Sequence, residues 1–191
     1  IILQKEGKET FIAGGEESFG FLVGDFVRDK DGVSACALVA EAVAYYKTQG
    51  KTVFAVLAEV YQRFGFYKEA LISVTKKGKD GAEQIQQLMQ QYRTNPPQEM
   101  NGSAVEMIYD VKNARISYPK TQKVEVLNLD KSNVMQFFLA DGSKISARPS
   151  GTEPKIKYYF SVNTNISNTA DYRATEKVLL DKLEALKKYF S

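Results

Sequence analysis

Residues 148–157 read Arg-Pro-Ser-Gly-Thr-Glu-Pro-Lys-Ile-Lys, and this stretch decides how the second half of the chain is interpreted. Lys155 and Lys157 flank Ile156, which is the alternation of polar and apolar side chains typical of a half-buried strand. Another predicted strand, residues 144–147, precedes the stretch and itself follows the tight-turn dipeptide at residues 141–142. We therefore expect two strands joined by a short loop, within a sheet that is at least partly antiparallel.

The same stretch carries the groups that bind a phosphate dianion. Arg148 can hold phosphate oxygens bidentately, the hydroxyls of Ser150 and Thr152 can donate, and backbone N–H groups around Gly151 can form an anion-binding nest. The two lysines add further positive charge. Taken alone, these residues could equally be a basic turn whose hydroxyls satisfy local backbone groups. The stretch does not fit a nucleotide P-loop, because its lysines alternate as in a strand instead of opening a helix.

Working outward, periodic apolar residues predict helices and strands on both sides of this hairpin. The predicted helices cover residues 33–49 with Asp31 near the start, a segment capped by Thr52 that ends before Gly65, a segment capped by Asp80 that ends before Asn95, and a closing segment with an apolar face over residues 174–190. The predicted strands are residues 10–13, 71–74, 105–108, 115–118, 124–127, 134–139, 144–147 and 155–162.

These elements predict the fold class and the domain organisation. We expect the remnant of an α/β domain at residues 1–67, followed at residues 68–191 by an α+β domain with an antiparallel sheet packed on helices. The strongly apolar first helix should be buried, and Cys36 within it should be a small core residue. Tyr61, Phe64 and the tyrosines of the first helix are interpreted as packing residues.

Composition excludes several classes of function. The chain has 191 residues, 43% hydrophobic and 26% charged content, a net charge of +3, one cysteine and no histidine. Without histidine, a Ser-His-Asp hydrolase is excluded, and a single cysteine cannot form an intrachain disulfide. Basic and acidic residues are mixed, so the sequence lacks the basic stripe of a nucleic-acid binder, and no apolar run reaches the roughly 18 to 20 residues of a membrane span. These features favour a cytoplasmic protein.

A second polar segment lies near the start, where residues 14–20 read Gly-Gly-Glu-Glu-Ser-Phe-Gly. Carboxylates accept hydrogen bonds and a serine can donate or accept, so this loop suits the recognition of sugar hydroxyls. A solvated surface turn or a divalent-cation site are the alternatives for the segment taken alone.

Together, in this order, the two segments resemble those of the α-D-phosphohexomutase family, the phosphoglucomutases and phosphomannomutases. Residues 26–32, Phe-Val-Arg-Asp-Lys-Asp-Gly, and the apolar helix after them are also similar to the family. The resemblance implies a C-terminal fragment that covers the end of domain 3 and all of domain 4, the latter with a TATA-binding-protein-like fold. Nothing in the chain matches the family's phosphoserine loop or its aspartate-rich magnesium loop.

Carried over by position, the resemblance assigns the candidate site residues. Glu16 and Ser18 would contact the sugar hydroxyls, whereas the role of Glu17 and of residues 28–31 stays open. The substrate's non-transferring phosphate would be held by Arg148, Ser150, Gly151 and Thr152, with Lys155 and Lys157 as additional candidates. No catalytic residue and no metal ligand is expected in this chain.

The resemblance also implies a reaction. The family interconverts hexose 1-phosphates and hexose 6-phosphates through a phosphoserine enzyme and a hexose 1,6-bisphosphate intermediate, with Mg²⁺ bound outside this chain. Glucose phosphate is the first choice of substrate, with mannose or pentose phosphates as alternatives, and the missing N-terminal domains would be the partner. The fragment alone should be inactive.

Two other classes of function are weighed against a mutase fragment. One is a non-catalytic sugar-phosphate binding module that uses both loops without phosphoryl transfer. The other is an RNA- or DNA-binding domain, which is suggested only by the sheet-rich second half and a pI near 8.8 and which we do not favour. We expect no nucleic-acid partner and, since no apolar run is long enough to span a membrane, no membrane partner.

Overall fold

The computed structural model describes residues 7, 10–15, 20–27, 29–76 and 78–191. It divides the chain into two compact units, residues 1–59 and residues 60–191. The first unit contains a short antiparallel hairpin of β1 (Ala13–Gly15) and β2 (Phe21–Val23), in which Gly14 lies opposite Leu22. Helix α1 (Gly32–Thr48) follows, and helix α2 (Val53–Phe64) begins in the first unit and ends in the second.

Both predicted helix starts in the first unit are confirmed by their hydrogen bonds. The carboxylate of Asp31 accepts from the N–H groups of Val33 at 3.0 Å and Ser34 at 2.9 Å, which satisfies amides that have no partner within the helix. These bonds, first from Ser34 and then from Val33, also lower the pKa of Asp31. Thr52 accepts from the N–H of Ala55 at 3.1 Å and so caps α2.

The prediction that α1 is a buried helix is wrong for this structure. None of its residues is buried, Val33 is 81% exposed, and Cys36 is exposed, so Cys36 is not a core residue here. The helix is apolar around most of its circumference, but within its unit its main neighbour is the three-residue strand β2. So small a neighbour cannot cover a helix of 17 residues.

The second unit is an antiparallel sheet with helices packed on it, as the sequence predicts. The strands lie in the order β3-β10-β9-β8-β5-β6-β7, and β4 pairs with β5. Their bounds are β3 Phe66–Thr75, β4 Glu99–Met100, β5 Ser103–Asp110, β6 Arg115–Tyr118, β7 Lys123–Val126, β8 Met135–Leu139, β9 Lys144–Pro149 and β10 Lys155–Thr164. The helices of this unit besides the end of α2 are α3 (Lys79–Thr94), a 3₁₀ turn (Thr169–Asp171) and α4 (Tyr172–Phe190).

One hydrophobic core lies between the sheet and these helices. Strand β10 contributes alternate side chains from Ile156 to Val162, α3 contributes Ile85 and Met89, and α4 contributes three leucines, all buried. The polar residues of β10 therefore lie on the opposite face of the sheet, because successive side chains of a strand alternate between faces.

Three details of the predicted elements need correction. Strand β3 begins at Phe66, five residues earlier than predicted. Its side chains alternate between more and less exposed positions from the fully buried Phe66 onward, but the two consecutive polar residues Lys68 and Glu69 obscure this pattern in the sequence. Residues 67 and 68, between which the sequence predicts the domain boundary, both lie in this strand, and the domain assignment stays a prediction. Asp80 does not cap α3, since the cap position is Gly78, whose φ is 85° and which offers no side chain. On α4, Val178 is 63% exposed and does not belong to the apolar face.

Polar contacts tie the elements of the second unit together. In the interior, Arg93 of α3 forms an ion pair with Asp110 of β5 at 3.2 Å, and Asn113 donates to the same carboxylate at 2.5 Å. On the surface, Lys182 of α4 pairs with Asp141, in the turn between β8 and β9, at 2.8 Å. None of the helices in the described residues is long and apolar enough to cross a membrane.

Candidate phosphate-binding site

The predicted hairpin at residues 148–157 is present, and it places three basic side chains on one face. Strands β9 and β10 pair antiparallel, with Pro149 opposite Ile156 and Arg148 opposite Lys157. Ile156 points into the core, where it is 1% exposed. Lys155 and Lys157, one residue to either side, therefore lie on the other face together with Arg148. Residues 150–154 form the loop that joins the two strands.

A surface recess of about 260 Å³ lies at this hairpin. Arg148, Ser150, Gly151, Lys155 and Lys157, five of the six residues that the sequence singles out as phosphate ligands, line it. The sixth, Thr152, is exposed and is not among the lining residues. The lining also includes Pro149 and Glu153, to which the sequence assigned no role. Three cations and one carboxylate give the recess a net positive charge.

Ser150 satisfies local backbone groups and still keeps its hydroxyl hydrogen. Its Oγ accepts the N–H of Thr152 at 3.4 Å and the N–H of Glu153 at 3.3 Å. A hydroxyl oxygen has two lone pairs, so these two bonds use its whole acceptor capacity. What remains is a single O–H donor at the edge of a positively charged recess. Such a donor matches an anion, which can only accept.

The loop amides do not form the anion-binding nest that the sequence allows. Besides the N–H groups of Thr152 and Glu153, that of Ser150 donates to the carbonyl of Lys155 at 2.9 Å, and that of Lys155 donates to the carbonyl of Glu153 at 2.8 Å. Pro154 has no N–H, so only Gly151 keeps an amide without a partner in this loop. These bonds make the loop a closed turn whose side chains, more than its backbone, face the recess.

The recess contains an ion pair within itself. The ammonium group of Lys155 contacts the carboxylate of Glu153, two residues earlier in the chain. The hydrogen bond and charge of Lys155, with a smaller contribution from Lys157, hold the pKa of Glu153 below its usual value. Neither Arg148 nor Lys157 has an ion-pair partner in the described part of the chain. An acidic residue two positions before a lysine is the signal by which the sequence could have revealed this pair.

The second predicted site, the acidic loop, lies largely outside the described residues. Glu16, Glu17 and Ser18 fall in the segment 16–19, and Arg28 is also outside the description. The segment connects β1 to β2, whose end residues Gly15 and Phe21 pair with each other. Among the residues that the structure describes, no group of three or more His, Cys, Asp or Glu side chains could hold a metal ion.

Comparison with known proteins supports the resemblance seen in the sequence. Residues 1–64 match the family model described as phosphoglucomutase/phosphomannomutase, alpha/beta/alpha domain III. The chain is 34% identical over 164 residues to a phosphoglucomutase of Staphylococcus haemolyticus and 38% identical over 161 residues to one of Staphylococcus aureus. These alignments cover 86% and 84% of this chain but 30% and 29% of the relatives. The chain thus spans about 30% of the length of the curated relatives it matches.

A solved structure shares the fold. The open form of parafusin, a phosphoglucomutase from Paramecium, matches 97% of this chain and 31% of its own length, with a TM-score of 0.53 and 21% sequence identity. At that identity the match concerns the fold alone. The family model, the two bacterial relatives and this common fold agree with one another, and the chain belongs to the phosphoglucomutase/phosphomannomutase family.

Proposed function

We propose that this chain supplies the distal-phosphate clamp and the sugar-recognition loop of a phosphosugar mutase. The observation that carries the proposal is the hairpin recess. Among the residues that the structure describes, Arg148 and Lys157 have no ion-pair partner there, and Ser150 has only a donor to offer. A phosphate dianion would accept from all three groups. Charge-assisted hydrogen bonds of this kind are roughly twice as strong as bonds between neutral groups.

Each predicted ligand has a distinct part in this proposal. Arg148 grips two phosphate oxygens, and Ser150 donates its hydroxyl hydrogen to a third. Lys155 and Lys157 supply charge from the strand that follows. A Cβ added at Gly151 would meet no atom within 4 Å, so the turn itself does not require glycine. In this proposal the absence of a side chain at Gly151 leaves room for the phosphate at the edge of the recess. Thr152 is exposed beside the recess without lining it, and it stays a proposed ligand.

The sugar-reading role of Glu16 and Ser18 belongs to the same proposal. It rests on the family match over residues 1–64, which includes this loop. The role of Glu17 stays open. We further propose that the family's α/β sugar-binding domain gives way to its phosphate-binding domain close to the predicted boundary at residues 67–68, with the whole of β3 in the second domain.

For the longer protein, the proposed reaction interconverts hexose 1-phosphate and hexose 6-phosphate in the cytoplasm. Glucose is the preferred sugar, mannose and pentose are the alternatives, and a hexose 1,6-bisphosphate is the intermediate. The Mg²⁺ ion and the phosphoserine would be supplied by other domains, and no step of the reaction is assigned to the residues described here. This chain alone should not turn over, because phosphoryl transfer depends on groups positioned at one shared centre.

The test is titration of the chain with glucose 1-phosphate and glucose 6-phosphate, followed by calorimetry or by amide shifts in NMR. Arg148→Met should weaken binding of both by about 10- to 100-fold, because one charge-assisted contact is lost. Arg115→Met is the matched control: Arg115 is also an exposed strand arginine, but it does not line the recess. Its removal should leave binding unchanged.

The outcome also separates the two candidate functions. Binding that depends on Arg148, together with no mutase activity in the chain and activity in the longer protein, supports the mutase. Binding that depends on Arg148, with no mutase activity in the longer protein, supports the non-catalytic binding module. If Arg148→Met and Arg115→Met bind the sugar phosphates equally well, the recess is not the phosphate site.

A further inference from the structure

The carboxylate of Glu153 lies where a phosphate clamp is not expected to have one. It lines the recess with Arg148, Lys155 and Lys157 and pairs with Lys155. A bound phosphate and this carboxylate would compete for the same ammonium group and would repel each other. The proposed function assigns no task to Glu153, so its presence needs a separate explanation.

The Lys155–Glu153 ion pair is weak enough for a ligand to replace Glu153 as the partner of Lys155. The side chain of Glu153 is 57% exposed and that of Lys155 is 30% exposed. Ion pairs in such partly solvated positions are weak, since water screens them and two long side chains must be held in one geometry. The pair can therefore be opened by a ligand of higher charge. The backbone of the turn does not depend on it, because the loop is closed by its own amide hydrogen bonds.

We propose that Glu153 is an internal counter-anion, which neutralises Lys155 until a phosphate takes its place. The inference rests on the phosphate site proposed above and adds a residue that limits its affinity. A dianion attracts Lys155 more strongly than the single charge of Glu153 does, whereas a monoanion gains little by exchange. Glu153 therefore lowers the affinity of the recess for anions, and an anion of higher charge is needed to displace it from Lys155.

The measurement is titration with inorganic phosphate at pH 8, where phosphate is mainly a dianion. Glu153→Gln keeps the size of the side chain and removes its charge, and it should tighten phosphate binding by about 3- to 10-fold. Binding of the monoanion nitrate, which gains little by displacing Glu153, should tighten by no more than phosphate binding does, and a larger gain for nitrate would contradict exchange at Lys155. Glu106→Gln is the matched control, since Glu106 forms an exposed pair with Lys120 at 3.1 Å and does not line the recess.

A double-mutant cycle with Lys155→Met distinguishes exchange of a partner from simple repulsion. If Glu153 acts by occupying Lys155, the gain from Glu153→Gln should fall below about twofold in the Lys155→Met background. A gain of equal size in both backgrounds would show repulsion without competition and would overturn the proposal. Thermal unfolding of every variant checks that the turn is intact.

The remaining outcomes separate this inference from the site on which it rests. If phosphate binds to the wild-type chain and is lost in Arg148→Met, but Glu153→Gln binds it equally or more weakly, the counter-anion role is wrong and the clamp stands. If no variant binds phosphate, both proposals fall. If Glu106→Gln tightens binding as much as Glu153→Gln does, the effect reflects net charge and the role of Glu153 is refuted.

Discussion

At the scale of single residues, Ser150 shows how two interpretations of one sequence can both hold. Its hydroxyl oxygen serves the local turn, as a basic-turn interpretation requires, while its hydrogen remains available, as a phosphate clamp requires. The sequence shows which residues form the loop, but not which acceptors their backbone N–H groups reach, because that depends on the turn they adopt. The pairing of Glu153 with Lys155 was not predicted either, although the two-residue spacing that indicates it is visible in the sequence.

The Arg93–Asp110 pair leads to a prediction about stability. Both side chains are nearly buried, at 9% and 11% exposure. Asp110→Asn removes the negative charge and leaves the guanidinium in the interior, so it should cost about 3 kcal/mol of unfolding free energy, measured with urea. Glu106→Gln, which opens the exposed Lys120–Glu106 pair, should cost less than about 0.5 kcal/mol. Equal costs for the two variants would mean that burial is irrelevant here.

At the scale of elements, periodicity in the sequence predicted the second unit well. The predicted strand at residues 115–118 coincides with β6, and the other strands of the sheet from β5 to β10 lie within a few residues of their predicted positions. The two-residue strand β4 and the three-residue strand β2 were missed, since so few residues show no alternation. Burial of α1 was predicted wrongly, because periodicity reports an apolar surface but not what covers it.

In helix α3, one glycine-to-alanine substitution should have the opposite effect on stability to the one that helix propensity predicts. Replacing a helical glycine by alanine usually stabilises by about 0.5 to 1 kcal/mol. At Gly81, however, a Cβ would lie 2.2 Å from the backbone oxygen of Lys76, so Gly81→Ala should destabilise by about 1 to 3 kcal/mol. Gly32, in the first turn of α1, has open space around it and serves as the control. Stabilisation by Gly81→Ala in chemical unfolding would contradict the close approach.

The contact between α4 and the β8–β9 turn should depend on pH. Burial raises the pKa of Asp141, but hydrogen bonds from Lys182 and Ser143 outweigh it, so the pKa lies below its ordinary 3.8. A lowered pKa contributes stability that is present above pH 3.8 and lost as the pH falls through the folded-state value. Asp141→Asn should therefore cost about 1 kcal/mol or less at pH 7 and progressively less below pH 4. A cost that stays constant in urea unfolding from pH 7 to pH 3 would refute the link.

At the scale of the whole molecule, the two units differ in how well they are packed. The core of buried side chains lies in residues 60–191, whereas α1 has no buried residue. Amide hydrogens open to solvent more often where few buried contacts hold the backbone. We expect hydrogen exchange followed by mass spectrometry to show slow exchange in β8 to β10 and α4, and faster exchange in α1. Equal protection of α1 and β10 would contradict this difference in packing.

The pairing of β3 with β10 has a consequence for the order in which the protein is made. Phe66 lies opposite Thr164 and Thr75 opposite Lys155, so the first strand of the sheet is completed by the last. A ribosome that adds about 5 to 20 residues per second needs about 4 to 20 seconds to bring β10 out after β3. During that interval β3 has no partner, and the sheet can close only after β10 has been made. Folding of residues 60–191 is therefore governed by their C-terminal part, and a chain stopped before β10 would leave β3 as an unpaired strand open to aggregation.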